Sequence, residues 1–210
     1  MFDVAALYVD ASGPYPGLTD HWYDACRDAA SYQGELPVVA HPPCGPWGVL
    51  AWATKHQPRE AGPHAVAEVR RCGGVLEHPV GSQLFKHCGI PTAPWSSWRE
   101  VDDWGGYTLR LPQWHFGHRG RKDTILYICG TADLPPLPRR DGGTPREVQR
   151  MCGRERRLTP PAFAWWLCLV AARCRAPRYR PVQQSLFPTT SASQQGKLRG
   201  AVSKEDGWMI

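Results

Sequence analysis

The chain has 210 residues, a length that fits one domain with a genuine core and an enclosed site. Its 21 glycines and 21 prolines predict long loops between short regular elements, and a formal net charge of +6 favours an anionic partner, nucleic acid being the commonest. No apolar run reaches the roughly 18–20 residues a membrane-spanning helix needs, and the start Met1-Phe2-Asp3 has no basic n-region, so a cytoplasmic protein without membrane association is expected.

Ala5 to Asp10 reads as a buried strand that ends in an acid and runs into a loop carrying Gly13, Pro14, Pro16 and Gly17. Asp20 to Tyr32 has helical spacing, with Trp22, Ala25, Cys26 and Ala29 on one face. Pro37 to Ala40 is a second buried strand, stopped by Pro42-Pro43. Pro63 to Cys72 is predicted helical, with Pro63 suited to a first turn and Gly73-Gly74 just past the end. Val75-Leu76-Glu77 is a third strand with an acid at its carboxyl edge.

Gly81 to Trp104 is rich in Trp and Pro and shows little periodicity. Tyr107 to Leu111 and Thr124 to Ile128 read as strands around a basic, aromatic connection ending in Arg119-Gly120-Arg121-Lys122. Leu134 to Gly143 is a Pro/Gly/Arg linker, and Pro160 to Cys174 is the strongest helix, carrying Phe163, Trp166, Leu167 and Val170. A single α/β domain over residues 1–175 is expected, with a largely parallel sheet and flanking helices. Residues 176–210 lack apolar periodicity and read as a largely disordered tail.

The eight cysteines include no Cys-x-x-Cys pair and read as thiols in a reducing compartment. Cys72, His78, His87 and Cys88 cluster in sequence, but their spacing matches no usual zinc pattern, so structural roles are expected and no metal is assigned.

In parallel sheets, function gathers beyond the carboxyl ends of the strands. Those ends carry Asp10, the loop His41-Pro42-Pro43-Cys44 and Glu77. Cys44 follows a strand and two restricting prolines, with Gly45 allowing close approach, and His41 or Arg121 nearby is expected to lower its pKa. A buried structural cysteine is the competing reading. Glu77 at a strand end is expected to have a raised pKa if it is used, or to cap the next loop if it is not. Arg119 and Arg121 taken alone would be a solvated basic loop.

A thiolate, a carboxyl and an arginine around one flat pocket suit covalent chemistry at carbon 5 of a pyrimidine. Sulfur adds to carbon 6, an acid at ring nitrogen 3 absorbs the developing charge, and carbon 5 becomes nucleophilic. Trp47, Trp52, Trp95, Trp98, Trp104 and Trp114 are candidates for base stacking, worth about 1–3 kcal/mol per base. Core packing is the commoner fate of tryptophan, above all for Trp165 and Trp166.

Four segments, in order, resemble the cytosine-C5 DNA methyltransferase family, covering residues 5–172 in patches. His41-Pro42-Pro43-Cys44 resembles its Pro-Cys loop, and Val75 to Pro79 its Glu-Asn-Val segment. Arg119-Gly120-Arg121 with Ile125 to Gly130 resembles its Gln-x-Arg-x-Arg segment and the strand that follows. Arg157-Leu158-Thr159-Pro160 resembles its late Arg-x-Leu-Thr-Pro segment. Asp10, Gly13 and Gly17 are a looser echo of the loop that binds S-adenosylmethionine.

The resemblance implies a Rossmann-like, abbreviated, phage-type enzyme transferring a methyl group from S-adenosylmethionine to cytosine in DNA. Cys44 would be the nucleophile and Glu77 the contact to nitrogen 3. Arg121 would hold the base and Arg119 the neighbouring backbone, while Asp10, Gly13, Gly17 and Pro42 would line the donor site. Only about 34 residues separate Asp10 from Cys44, which implies a shortened cofactor half. Gly130 to Arg156 is too short for a target-recognition domain, so a protein partner, a single-stranded or flipped base, or a free nucleotide would replace it. Two other readings stay open: the same base chemistry with a different donor, and a non-catalytic nucleic-acid-binding protein on this scaffold.

Overall fold

The structure, a computed structural model, describes residues 1–49, 51–54, 56–92, 101–138 and 144–177. Trp95, Trp98 and the tail from residue 178 lie outside the described residues. Ten elements follow in chain order: β1 (Ala5–Leu7), β2 (Trp22–Tyr23), β3 (Val38–Ala40), α1 (Ala61–Cys72), β4 (Gly74–Pro79), α2 (Leu84–His87), β5 (Tyr107–Pro112), β6 (Asp123–Cys129), α3 (Gly153–Arg157) and α4 (Pro161–Arg173).

The strands form one mixed sheet in the order β2-β1-β3-β4-β6-β5. β2, β1, β3 and β4 pair in parallel. β6 pairs antiparallel with both β4 and β5, so β6 is the one reversed strand and the expected largely parallel sheet is mixed. The Asp20–Tyr32 helix does not form. Trp22–Tyr23 joins the sheet edge instead, followed by turns in which Asp24 accepts from the amides of Cys26 and Arg27. Aspartate-capped turns and an edge ladder outcompete a helix whose apolar face had nothing to cover.

Strand alternation divides the core into two. On one face Ala6, Val39, Val75, Leu126 and Ile128 pack under α4, through Phe163, Ala164, Leu167, Val170 and Ala171. On the other, Leu7, Val38, Ala40, Leu76 and Tyr127 meet Ala65, Val66, Val69 and Cys72 of α1. The two tryptophans of α4 separate: Trp166 is core, whereas Trp165 is 49% exposed beside Phe2. Among the described residues no helix is long and apolar enough to cross a membrane.

The chain passes from α1 to β4 through Gly73 (φ +78°) and Gly74 (φ +139°), conformations that disfavour any side chain. A Cβ on Gly74 would lie 2.1 Å from the carbonyl oxygen of Val38, its partner across the parallel ladder. Gly74→Ala is therefore expected to destabilise the protein by about 3 kcal/mol or more, read as a lower urea midpoint. Alanine at Gly81, where a Cβ would meet nothing within 4 Å and only the φ of +88° is at stake, should cost less.

Candidate functional site

β4 continues past the end of β3. Ala40 pairs with Leu76, so Glu77 and His78 project beyond the last paired residue of β3. Alternation sends Glu77 to the α4 face with Thr124 of β6, and His78 to the α1 face against Phe85. The loop after β3 turns back over this gap. His41 donates its amide to Leu7 O at 3.0 Å, and the chain then passes through Pro42 and Pro43 to Cys44, which opens a single turn of 3-10 helix, Gly45–Trp47.

Glu77 is 8% exposed and anchored on both oxygens. Oε1 accepts from the Gln113 amide at 3.1 Å and from the Thr124 hydroxyl, while Oε2 accepts from His41 Nδ1 at 3.1 Å. Because a carboxylate only accepts, His41 carries a hydrogen on Nδ1, and its Nε2 is hydrogen-bonded to the Tyr15 hydroxyl 2.5 Å away. Burial holds the Tyr15 hydroxyl well above its ordinary pKa, with nearby Cys168 and Glu77 adding to this, so it remains a donor. Tyr15, His41, Glu77 and Gln113 thus form one hydrogen-bonded line from the loop after β1 to the end of β5.

The expected raised pKa of Glu77 is reversed. Burial pushes it up, but the His41 hydrogen bond, the positive charge of Lys122 and the Thr124 hydroxyl outweigh burial and bring it down to about 2. Glu77 is a carboxylate at neutral pH. Gln113 Oε1 is buried without a hydrogen-bond partner among the described residues, an orphan acceptor beside it.

Cys44, three residues after His41 on the same loop, is exposed. Its pKa is raised, first by partial burial of the thiol and then by the charge of Glu77. Surface area describes access to the residue as a whole, and desolvation describes the sulfur, so a reachable side chain and a desolvated thiol coexist. Its own backbone amide pulls the pKa down first, then the charges of Lys122 and Arg157; the expected His41 is not among these causes.

Lys122 is held at φ +34°, uncommon for a side-chain-bearing residue, and donates to Leu158 O at 3.2 Å. Nothing in a basic run distinguishes Lys122 from its neighbours, so sequence reading passes over it. Gln113 and Tyr15 are missed for a similar reason: only the fold brings strand ends and loops this far apart together. His78, on the other face of β4, has Nδ1 2.6 Å from Ser82 Oγ and Nε2 buried without a hydrogen-bond partner among the described residues. Burial takes its pKa down to about 4, against the partial pull of Glu77 and the Pro43 and Pro42 carbonyls.

The remaining candidates take other positions. Arg121 is bonded to Asp123 Oδ1 at 3.0 Å and Arg119 to Glu155 at 3.5 Å, both on exposed side chains. Asp10 lies at the carboxyl side of β1, and its Oδ1 accepts from the amide and hydroxyl of Ser12, both at 2.8 Å. These bonds, with smaller contributions from Arg154 and Arg157, lower its pKa. Gly13 donates to Asp10 O at 2.9 Å, Gly17 ends a short 3-10 turn with open space at its Cα, and Pro42 is buried.

Among the tryptophans, Trp47 is core under Arg59 and Trp104 is stacked on Arg70, so neither is offered to a base. Trp52, just past the Cys44 loop, is 71% exposed. The eight cysteines are free thiols, and no group of three or more His, Cys, Asp or Glu among the described residues could hold a metal ion. An apolar groove of about 1110 Å³ lies at the opposite end of the sheet, lined by Trp104, Tyr107, Leu109, Gly130 and Leu134, away from this chemistry. Comparison with protein-family models, curated proteins and solved structures found no match.

Proposed function

We propose that this protein modifies a pyrimidine base at carbon 5 through a covalent adduct on Cys44, with methyl transfer to cytosine in DNA as the specific reaction. The observation that carries the reading is an exposed thiol on the same loop as His41, which with Gln113 and Thr124 holds the buried carboxylate of Glu77. Such pre-organisation costs nothing when a base arrives and contributes most to the step in which charge develops.

The Cys44 sulfur, once deprotonated, bonds to carbon 6, and the 5,6 double-bond electrons shift toward carbon 4 and nitrogen 3. Glu77 faces that edge of the ring. As charge builds on nitrogen 3 its basicity rises, and Glu77, a carboxylate in the free protein, relays to it the proton released by the Cys44 thiol, while the orphaned Gln113 Oε1 accepts from the exocyclic amino group. Lys122 and Arg157 favour the thiolate electrostatically. Carbon 5 then takes the electrophilic group, its proton leaves to a base, and the carbon–sulfur bond breaks to regenerate Cys44.

The finer Rossmann-like description belongs to this proposal. β1 connects outward to β2 and β3 connects the other way to β4, so the loops after β1 and β3 flank a topological switch point, where open α/β sheets bind ligands. S-adenosylmethionine, when bound there, supplies an electrophilic methyl group. The exposed Asp10 carboxylate is a donor-set match for its cationic and hydroxyl groups, and Gly17 leaves space.

Mass spectrometry of nucleosides from DNA of cells expressing the protein, grown on methyl-labelled methionine, tests the reading. Labelled 5-methylcytosine that disappears with Cys44→Ser is expected. A different modified pyrimidine would replace the donor, and unmodified DNA would leave a binding protein on this scaffold.

A further inference from the structure

Residues 144–158 contain five arginines, Arg146, Arg150, Arg154, Arg156 and Arg157, against two glutamates, and all five are exposed. The segment is fixed to the loop that leads into β6. Arg146 donates its amide to Arg119 O at 3.0 Å and accepts from the Arg121 amide at 3.3 Å, with Gly120 bridged to it in parallel. His118 accepts the Gly120 amide on Nδ1 and places Nε2 3.3 Å from Glu155 O. Met151 is buried against Gly120, where a Cβ would lie 2.5 Å from its sulfur.

The two acids are already engaged. Glu147 pairs with Arg150 at 3.0 Å, and Glu155 caps its own helix through the Cys152 amide while touching Arg119. Arg146, Arg154, Arg156 and Arg157 form no ion pair with a described residue. Exposed guanidinium groups in excess over the acids around them repel one another and attract a polyanion, and the planar arginine fork matches phosphate oxygens. The patch also borders the site: Lys122 donates to Leu158 O at the end of the segment at 3.2 Å, and the charges of Lys122 and Arg157 both act on the Cys44 thiol.

We infer that the 144–158 face, continuous with Arg119, grips the phosphate backbone of the DNA strand whose target base enters the Cys44 site. This rests on the base-modification reading. Phosphate contacts position a strand without reading its sequence, so the face provides grip and register whatever the base sequence.

Binding of a fluorescent 20-nucleotide single strand is measured against salt concentration, every protein carrying Cys44→Ser so that nothing turns over. Replacing Arg154, Arg156 and Arg157 together by glutamine is expected to weaken binding about 10- to 100-fold at low salt. The slope of log affinity against log salt should fall by about 2, at roughly 0.7 per lost contact on a single strand. Lysine at the same three positions should retain most of the slope, which separates charge from folding. An unchanged slope in a glutamine variant with an unchanged thermal midpoint overturns the inference, as does absence of DNA binding by the parent. Covalent trapping of a fluorinated base by the Cys44 protein is read separately: trapping with an unchanged slope sinks the clamp and leaves the chemistry, and the reverse result does the opposite.

Discussion

Serine at position 44 is expected to lower base modification by about three orders of magnitude or more, with the thermal midpoint unchanged. The fold tolerates it because the loop is shaped by other residues. Pro42 and Pro43 restrict the backbone, Trp47 is core, and Gly45 is packed so tightly that a Cβ would lie 2.4 Å from Gln57 Oε1 and 2.8 Å from Thr54. A hydroxyl ionises far above the range of a thiol, so serine keeps the shape and loses the nucleophile. The unsubstituted protein is expected to carry a pH signature of the same group. Burial and Glu77 raise the Cys44 pKa, so the thiolate fraction, and with it the single-turnover rate, rises with pH from neutrality into the alkaline range. A rate that is flat with pH, or a Cys26→Ser variant that loses activity while Cys44→Ser keeps it, would reassign the nucleophile.

Glu77→Gln is expected to fold and bind substrate but to turn over about 10²–10⁴-fold more slowly. The amide oxygen can still accept from Gln113 and Thr124, and the amide nitrogen can donate to His41 if the imidazole changes tautomer. What is lost is the carboxyl that relays a proton to nitrogen 3 of the base. The variant also has a stability signature. The folded-state pKa of Glu77 is depressed to about 2, so its ionisation stabilises the fold at pH values above the ordinary carboxyl range. That contribution, on the order of 3 kcal/mol, is lost as pH falls from about 4.5 through 2. Urea unfolding of the parent should weaken over that window more than that of Glu77→Gln. Equal pH profiles for the two proteins would mean the carboxylate is not held as described, and a rate change below threefold would make Glu77 a structural strand end.

Much of the fold was legible because its strands and two long helices carry strong local signals. Val38–Ala40, Val75–Leu76 and the run from Ile125 to Cys129 are apolar throughout, and α1 and α4 show helical spacing between Pro and Gly or Cys boundaries. The reversal of β6 was not legible, because the direction of a buried strand leaves no mark on its composition. Asp20–Tyr32 misled because a helical apolar stripe is indifferent to whether anything lies beneath it. At the site, Cys44 and Glu77 stood out as reactive groups at strand ends. The environment that sets their chemistry came from distant segments: Tyr15 from the first loop, Gln113 from the end of β5, Lys122 before β6. The sign of the Glu77 shift was misread for that reason, since burial is inferable from a strand and the donors that overrule it are not.

Trapping with 5-fluorocytosine tests the covalent mechanism most directly. Once sulfur has bonded to carbon 6 and carbon 5 has accepted its group, release requires loss of the carbon-5 substituent as a cation, which fluorine cannot do. The base must leave the stack to reach Cys44, at a cost of a few kcal/mol, so mismatched or single-stranded substrate should react faster than paired DNA. The account predicts a denaturant-stable adduct of protein with fluorinated DNA, dependent on S-adenosylmethionine, absent in Cys44→Ser and mapped by peptide mass spectrometry to Cys44. Folded, donor-supplied protein that forms no adduct on any fluorinated pyrimidine, or forms it at another cysteine, would contradict it.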